Sequence, residues 1–267
     1  EFFPVRSICQ HSVPFLGLHG QQVVHVDLFF VQHKELISTI KNSSVDGNNN
    51  VGVVAGYNSF NIVQVTIENC IISGNQYVGS ITRSSGRTII GTYTYNSQIY
   101  GKNSNSLYVG GLVGQHSSQI SNSGIYHSTI TNPGNYTGGL IGKCNGVNLL
   151  RNAVQDCVVS GNNYVGGLLG INNDTEAERT IQFNTIQATI NATGSGAGGI
   201  IGYYQNNKID TNTGLYNIYQ NIVENSSISA SYNAGGLIGQ IDAMKTANQV
   251  YNNIIVANVE TTNDPST

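Results

Sequence analysis

Charge is what this sequence has least of. Only 9% of its 267 residues are Asp, Glu, Lys or Arg, against roughly 25% in ordinary soluble domains. The net charge is −3. A nucleic-acid partner needs a basic face to meet its phosphates, so this deficit argues against one. Tryptophan is absent and methionine occurs once. No apolar run approaches the ~20 residues that cross a bilayer, so no membrane span is expected. The opening "EFFPVRSICQ" has no initiator Met, no charged n-region and no apolar h-region. It reads as a mature N-terminus or the edge of a fragment, not as a signal peptide. Four cysteines do not make a disulfide framework at this length. No G-x-S-x-G elbow or P-loop appears, and runs such as Gly194 to Gly199 satisfy loose glycine patterns by composition alone.

Asparagine and glycine are abundant instead, Asn numbering about 35 and Gly 32. With so little charge this could mean disorder. However, 39% of residues are hydrophobic and they fall in regularly spaced clusters, which can bury enough surface to fold. The clusters belong to a repeat. "VGVVAG", "VGSITR", "VGGLVG", "TGGLIG", "VGGLLG", "AGGIIG" and "AGGLIG" carry anchor glycines at Gly52, Gly79, Gly110, Gly138, Gly166, Gly198 and Gly235. Two further apolar beats precede each anchor. About eight residues before it lie Val45, Ile71 and Ile72, Ile130, Val158 and Val159, Ile190 and Ile228; about sixteen before it lie Ile62, Ile120, Leu149 and Leu150, Ile181 and Phe183, and Ile218. Each beat is short, rich in β-branched residues and bounded by Asn, Gly and Ser, as a strand between turns is.

Three short strands per coil of ~28–37 residues, repeated about seven times, predict an all-β fold: a parallel β-solenoid (β-helix). The crossover rule makes it right-handed. Residues 1–33 fall outside the repeat and read as an N-terminal cap or strand-exchange segment. Residues 34–240 are the coils, and 241–267 an incomplete last coil and tail. Equivalent residues should lie one ladder spacing apart, about 4.8 Å. Tyr108, Tyr136 and Tyr164 should therefore stack, and Leu112, Leu140, Leu168, Ile200 and Leu237 should form an internal ladder. Stacked Asn side chains can bond along the axis, which accounts for the Asn excess without invoking chemistry.

The phrase "[YN]-x-G-G-[LI]-[VIL]-G" resembles the GLUG-motif repeat of secreted and surface-anchored proteins, including regions flanking IgA-protease-type peptidases. Gly110, Gly111, Leu112 and Gly114 match it, as do Gly138, Gly139, Leu140 and Gly142, then Gly166, Gly167, Leu168 and Gly170, and Gly235, Gly236, Leu237 and Gly239. The copy at Gly198 has Ile200 for Leu. The first two copies depart: Val53 and Ser80 replace the second glycine, and Arg83 replaces the last. The resemblance spans roughly residues 40–245. It implies an extracellular or surface accessory role and brings no catalytic residues.

Other chemistry is sparse. A polysaccharide lyase or hydrolase on such a fold needs clustered carboxylates. The one acidic cluster, Asp174, Glu176 and Glu178, reads as a solvated loop or, less well, a Ca²⁺ site without EF-hand spacing. Asp156, Asp210, Glu224 and Asp242 are scattered. His11, His19, His25 and His33 match no standard metal spacing. Neither catalysis, a metal nor a cofactor is expected. Cys70 and Cys157 occupy matching places three coils apart, too far to bridge; Cys144 and Cys157 span less than one coil and are the pair able to join. Sequons stand at Asn42, Asn135, Asn173, Asn191 and Asn225, close to the number that composition alone produces, and are the candidate N-glycosylation sites. The long insertion after Gly202 brings Tyr203, Tyr204, Tyr216 and Tyr219, which form either a glycan-contact surface or packing against the solenoid wall. The resulting expectation is a non-catalytic extracellular or cell-surface structural rod. Its partners are other copies, through end-to-end stacking or strand exchange into a filament, or the rest of a longer fibrous protein. The alternative is an adhesin or glycan-binding rod meeting surface glycans.

Overall fold

An isolated Ile or Val between polar neighbours can be buried only if the strand carrying it lies on the wall of a shared core. The computed structural model builds those walls. It describes residues 38–173, 179–205, 216–242 and 249–263, and the proposed 1–33 cap lies outside them. The 28 strands of the described residues are joined by parallel pairing into sheets of 15, 7 and 6 strands. The chain is all-β, wound as a β-solenoid, with each interior strand paired to the equivalent strand of the coils before and after it.

The registers align the repeats as the glycine anchors demand. Gly110, Gly138, Gly166, Gly198 and Gly235 lie one above another. In the seven-stranded sheet, Ile62, Ile89, Ile120, Leu149, Ile181, Ile218 and Val250 make one inward column. In the 15-stranded sheet, Val45, Ile72, Ile99, Ile130, Val159, Ile190, Ile228 and Val259 make another. The six-stranded sheet follows the glycine phrase, and its first copy contributes only an isolated bridge from Ala55 to Thr82. Six coils thus carry all three sheets. At the other end the chain adds strands Gln249–Tyr251 and Ile254–Thr261 to a further coil.

The largest sheet bends, and the bend adds a column that a three-beat period does not anticipate. Ile40, Ile67, Thr94, Ile125, Val154, Ile186, Val223 and Ile255 line it. From Ile67 to Val223 these side chains are fully buried. Burying one Ile or Val contributes about 1.5–3 kcal/mol.

Corners are turned by single residues in the left-handed region. One corner stacks Asn42, Asn69, Asn96, His127, Asp156 and Asn225; a second stacks Gln64, Gly91, Asn122, Arg151, Phe183, Gln220 and Asn252; a third stacks Asn50, Tyr77, Tyr108, Tyr136, Tyr164, Gly196 and Asn233. All have φ between 46° and 78°. Asn tolerates this conformation best after Gly, which is one reason it recurs.

Beside the second corner a buried polar ladder runs along the axis. The backbone N–H of Ser123 donates to Asn152 Oδ1 at 3.1 Å, Asn152 to Asn184 Oδ1 at 2.9 Å, Asn184 to Asn221 Oδ1 at 3.1 Å and Asn221 to Asn253 Oδ1 at 3.0 Å. The Asn152, Asn184 and Asn221 amides also donate to the next Oδ1. Each in addition donates to a main-chain carbonyl of the preceding coil: Ile120, Leu149 and Ile181. The Asn excess is therefore structural, since these side chains satisfy corner groups that would otherwise be buried unpaired.

The glycine phrase is a matter of room. Gly110 and Gly111 have no unusual φ. A Cβ on Gly111 would collide with the carbonyl oxygen of Gly139, and one on Gly139 with that of Gly167. Successive coils touch backbone to backbone there. The departure at the second copy is compensated: Ser80 stands where the five later copies have glycine, and the facing residue is Thr94 instead of an aliphatic. Their hydroxyls are 2.7 Å apart in the core.

Candidate functional site: a tyrosine ladder and an open last coil

The phrase tyrosines stack as their spacing demands. Ring centroids are 5.1 Å apart for Tyr77–Tyr108, 5.3 Å for Tyr108–Tyr136 and 5.3 Å for Tyr136–Tyr164. Gly196 takes the next place, where a Cβ would lie 2.7 Å from the Tyr164 ring. The gap is filled by Tyr203, from strand Ile201–Gln205, whose ring lies 4.5 Å from that of Tyr164. The Tyr203 hydroxyl donates to Asp242. Burial first, then this bond to a carboxylate, push the Tyr203 phenol well above its usual range. Burial also raises Tyr108 and Tyr136. Arg83 lies 4.7 Å from the Tyr77 centroid and the Lys143 ammonium 5.0 Å from that of Tyr108. Holding tyrosines at positive φ is costly, and stacking offsets it at about 0.5–1.5 kcal/mol per pair.

The four tyrosines read as either a glycan-contact surface or packing against the solenoid wall lie on two different sheets. Tyr203 presents its ring to Tyr164 and is nearly buried, and its neighbour Tyr204 points into the core. Tyr216 and Tyr219 belong to strand Tyr216–Tyr219 on a different sheet. There Tyr219 stacks on Tyr251 at 4.8 Å, with Phe183 edge-on at 6.4 Å. The physical reason is the ladder itself: rings stacked along the axis cover one another's faces, whereas a sugar needs a face left open.

Cys144 and Cys157, the pair that spacing alone leaves able to join, are not joined. Cys70, Cys144 and Cys157 carry no disulfide and are buried. Cys144 lies on the six-stranded sheet and Cys157 on the 15-stranded one, so the chain between them crosses from one wall to another. Cys157 belongs to a column of small residues with Cys70, Ser97, Ser128, Ala188 and Ser226. Ser128, for example, accepts from the N–H of Ser97 at 3.0 Å. Burial pushes the Cys157 thiol up to about 11, which leaves it unreactive at neutral pH. Cys144 is stacked between His116 and Asn172. These residue types do nucleophilic chemistry elsewhere, but all three are fully buried here.

The sequons separate by position. Asn42 and Asn225 are exposed at the same left-handed corner. Asn135 Oδ1 accepts from Asn163 at 3.0 Å and Asn191 Oδ1 from Ser229 at 3.0 Å, so both belong to half-buried surface ladders. Asn173 ends strand Leu169–Asn173 and is half-buried. Asp174, Glu176, Glu178, Asp210 and the four N-terminal histidines lie outside the described residues. Of the scattered acids, Asp156 faces His127 at 3.5 Å on the surface and Glu224 accepts from Gln187 at 2.8 Å. Among the described residues no three His, Cys, Asp or Glu side chains gather where they could hold a metal ion, and no helix is long and apolar enough to cross a membrane.

The feature that sequence reading located but could not characterise is the last coil. Its inward residues continue the core columns and are uncovered. Val250 is 43% exposed above Ile218 at 0%, Ile255 42% above Val223 at 0%, and Val259 42% above Ile228 at 0%. Leu237 and Ile238 are only half-buried, whereas Leu168 and Leu169 are fully buried. Among the described residues, strands Ile238–Ile241, Gln249–Tyr251 and Ile254–Thr261 each pair on one side only. At the opposite end Val45, Val51 and Ile62 are buried. The arrangement offers an apolar core cross-section rimmed by unpaired strand edges. Comparison with protein-family models, curated proteins and solved structures finds no match to the chain.

Proposed function

We propose that this chain is a non-catalytic structural rod of the extracellular space or cell surface, assembled end to end or within a longer fibrous protein. The observation that carries this reading is the last coil. A solenoid end with exposed inward Val and Ile and unpaired edges is a template for further β-structure. Three further features support it. The side walls spend their Asn and Ser side chains on ladders along the axis. Among the described residues the acids do not converge. The glycine phrase resembles that of secreted and surface-anchored proteins. The adhesin reading has less support, because Tyr203, Tyr204 and Tyr219 are spread over core, ladder and a second sheet.

Electron microscopy of the native material tests the reading. Rods about a coil's width across, joined at their ends or continuous with a longer fibre, are expected. Isolated particles with no end contact, together with tight binding of a soluble glycan along the side wall, would favour the adhesin.

A further inference from the structure

In a chain with so little charge, a cation left without a carboxylate is informative. Lys41 and Lys102 are paired with Glu68 and Asp46. Arg83 and Lys143 form no ion pair among the described residues. Each lies against the tyrosine ladder instead. The Arg83 guanidinium is 4.7 Å from the Tyr77 centroid and 6.0 Å from that of Tyr57, and the Lys143 ammonium is 5.0 Å from that of Tyr108. Tyr77 and Tyr108 are neighbours in the stack, so the two cations sit beside adjacent rings, with Gln115 on the strand between theirs. The ladder phenols are unspent as well. Tyr203 donates to Asp242, but the hydroxyls of Tyr77, Tyr108, Tyr136 and Tyr164 make no hydrogen bond among the described residues.

We infer that this side of the solenoid binds an acidic carbohydrate chain, lying along the axis with a carboxylate or sulfate on Arg83 and Lys143 and its hydroxyls on the phenols of Tyr77, Tyr108, Tyr136 and Tyr164. An anion there meets a planar guanidinium fork and a point charge together. Arg83 rests against two rings and its Nε is buried, so it has little freedom to lose when an anion docks. Stacking closes the ring faces to a sugar but leaves the hydroxyls open. A phenol hydroxyl both donates and accepts, as a sugar hydroxyl does. A row of phenols therefore suits a chain of sugars better than a run of acidic side chains, which would find cations at one end only. The site lies on the side wall and holds whether or not the ends of the rod join.

Calorimetric titration of the 267-residue chain with polygalacturonate and with dextran sulfate tests this and tells the carboxylate from the sulfate. Methyl-esterified polygalacturonate and dextran are the neutral counterparts, and poly-glutamate carries charge without sugar. At least one acidic glycan should bind, less tightly as salt is raised. Its neutral counterpart and poly-glutamate should bind at least ~10-fold more weakly. Arg83→Gln/Lys143→Gln should weaken binding at least ~100-fold, through the loss of two charge-assisted contacts. Tyr136→Phe keeps the stack and removes one hydroxyl, and should weaken binding about 3- to 10-fold. Arg151→Gln removes a cation that lies 5.4 Å from the Phe183 centroid at a different corner and should leave binding unchanged. If the double variant loses its β circular dichroism, Lys143→Gln alone decides, with an expected loss of about 10-fold. Failure of both acidic glycans to bind, equal binding of the neutral chain or of poly-glutamate, or an Arg151→Gln loss as large as that of the double variant would each overturn the inference. Rods that bind no acidic glycan would overturn this site and leave the rod reading standing.

Discussion

An interior coil and the last coil are built from the same columns but differ in what each column residue contributes. Asn184 and Asn253 occupy one ladder, Ile186 and Ile255 one core column, Leu168 and Leu237 one phrase position. In the interior, each is sandwiched between a coil above and a coil below. In the last coil, each has one neighbour, and its other side is open. The contrast shows where the stability of a solenoid resides. It lies in the interface between coils more than in the coil itself, as nearest-neighbour descriptions of repeat proteins hold. An end coil therefore keeps its shape while leaving about half of its interface energy unrealised, and that half is what a further coil or partner at this end would recover.

Substitutions at matched positions should break this equivalence, most severely at the glycines. Gly139→Ala sets a methyl against the carbonyl oxygen of Gly167, so two backbones must separate. The cost should exceed about 4 kcal/mol, which a marginal fold does not survive. Gly236→Ala meets only the Ile255 side chain, at 3.0 Å, and should cost less than about 1 kcal/mol. Thermal denaturation of the two variants measures the difference, and equal costs would mean that the last coil is covered.

The asparagine ladder should give the next largest contrast. Asn184→Ala leaves the Asn152 N–H and the Leu149 carbonyl without their partner. At roughly 1–3 kcal/mol for each buried orphan, the loss should be about 2–4 kcal/mol in denaturant titration. Asn253→Ala, at the open end, should cost about 1 kcal/mol or less, because water replaces the lost bonds.

A smaller effect tests whether the irregular copy is a compensated pair. Ser80→Gly strands the buried Thr94 hydroxyl, and Thr94→Ile crowds Ser80. Each alone should cost about 1–2 kcal/mol. The double variant recreates the Gly111–Ile125 arrangement of the next coil and should be at least as stable as the parent. Additive losses would show that the two residues do not communicate.

Most of the fold was legible in the sequence because the glycine phrase marks one point on every coil. Once Gly110, Gly138 and Gly166 are set in register, the tyrosine stack, the leucine ladder and the placing of Cys70 three coils from Cys157 follow. The Ile67–Ile125–Val154 column was not legible. Its strands present one inward residue between two corners, and Thr94 interrupts the apolar signal. Nor were the left-handed corners, where Asn, Tyr, Gln, His and Arg alternate and only geometry unites them. Tyr203 illustrates a further limit. It replaces a missing ring in the ladder, and only the gap at Gly196, seven residues before it, reveals why. The candidate site was legible as an unfinished coil. Its character as an exposed core cross-section required knowing that Val250, Ile255 and Val259 point inward.

Hydrogen exchange of strand Ile254–Thr261 against strand Thr185–Gly198, read by mass spectrometry at low and high chain concentration, tests the open last coil most directly. In dilute solution the amides of Ile254–Thr261 should exchange far faster than those of Thr185–Gly198. Raising the concentration should slow the former and leave the latter unchanged. Protection of Ile254–Thr261 equal to that of Thr185–Gly198 at every concentration would contradict the account.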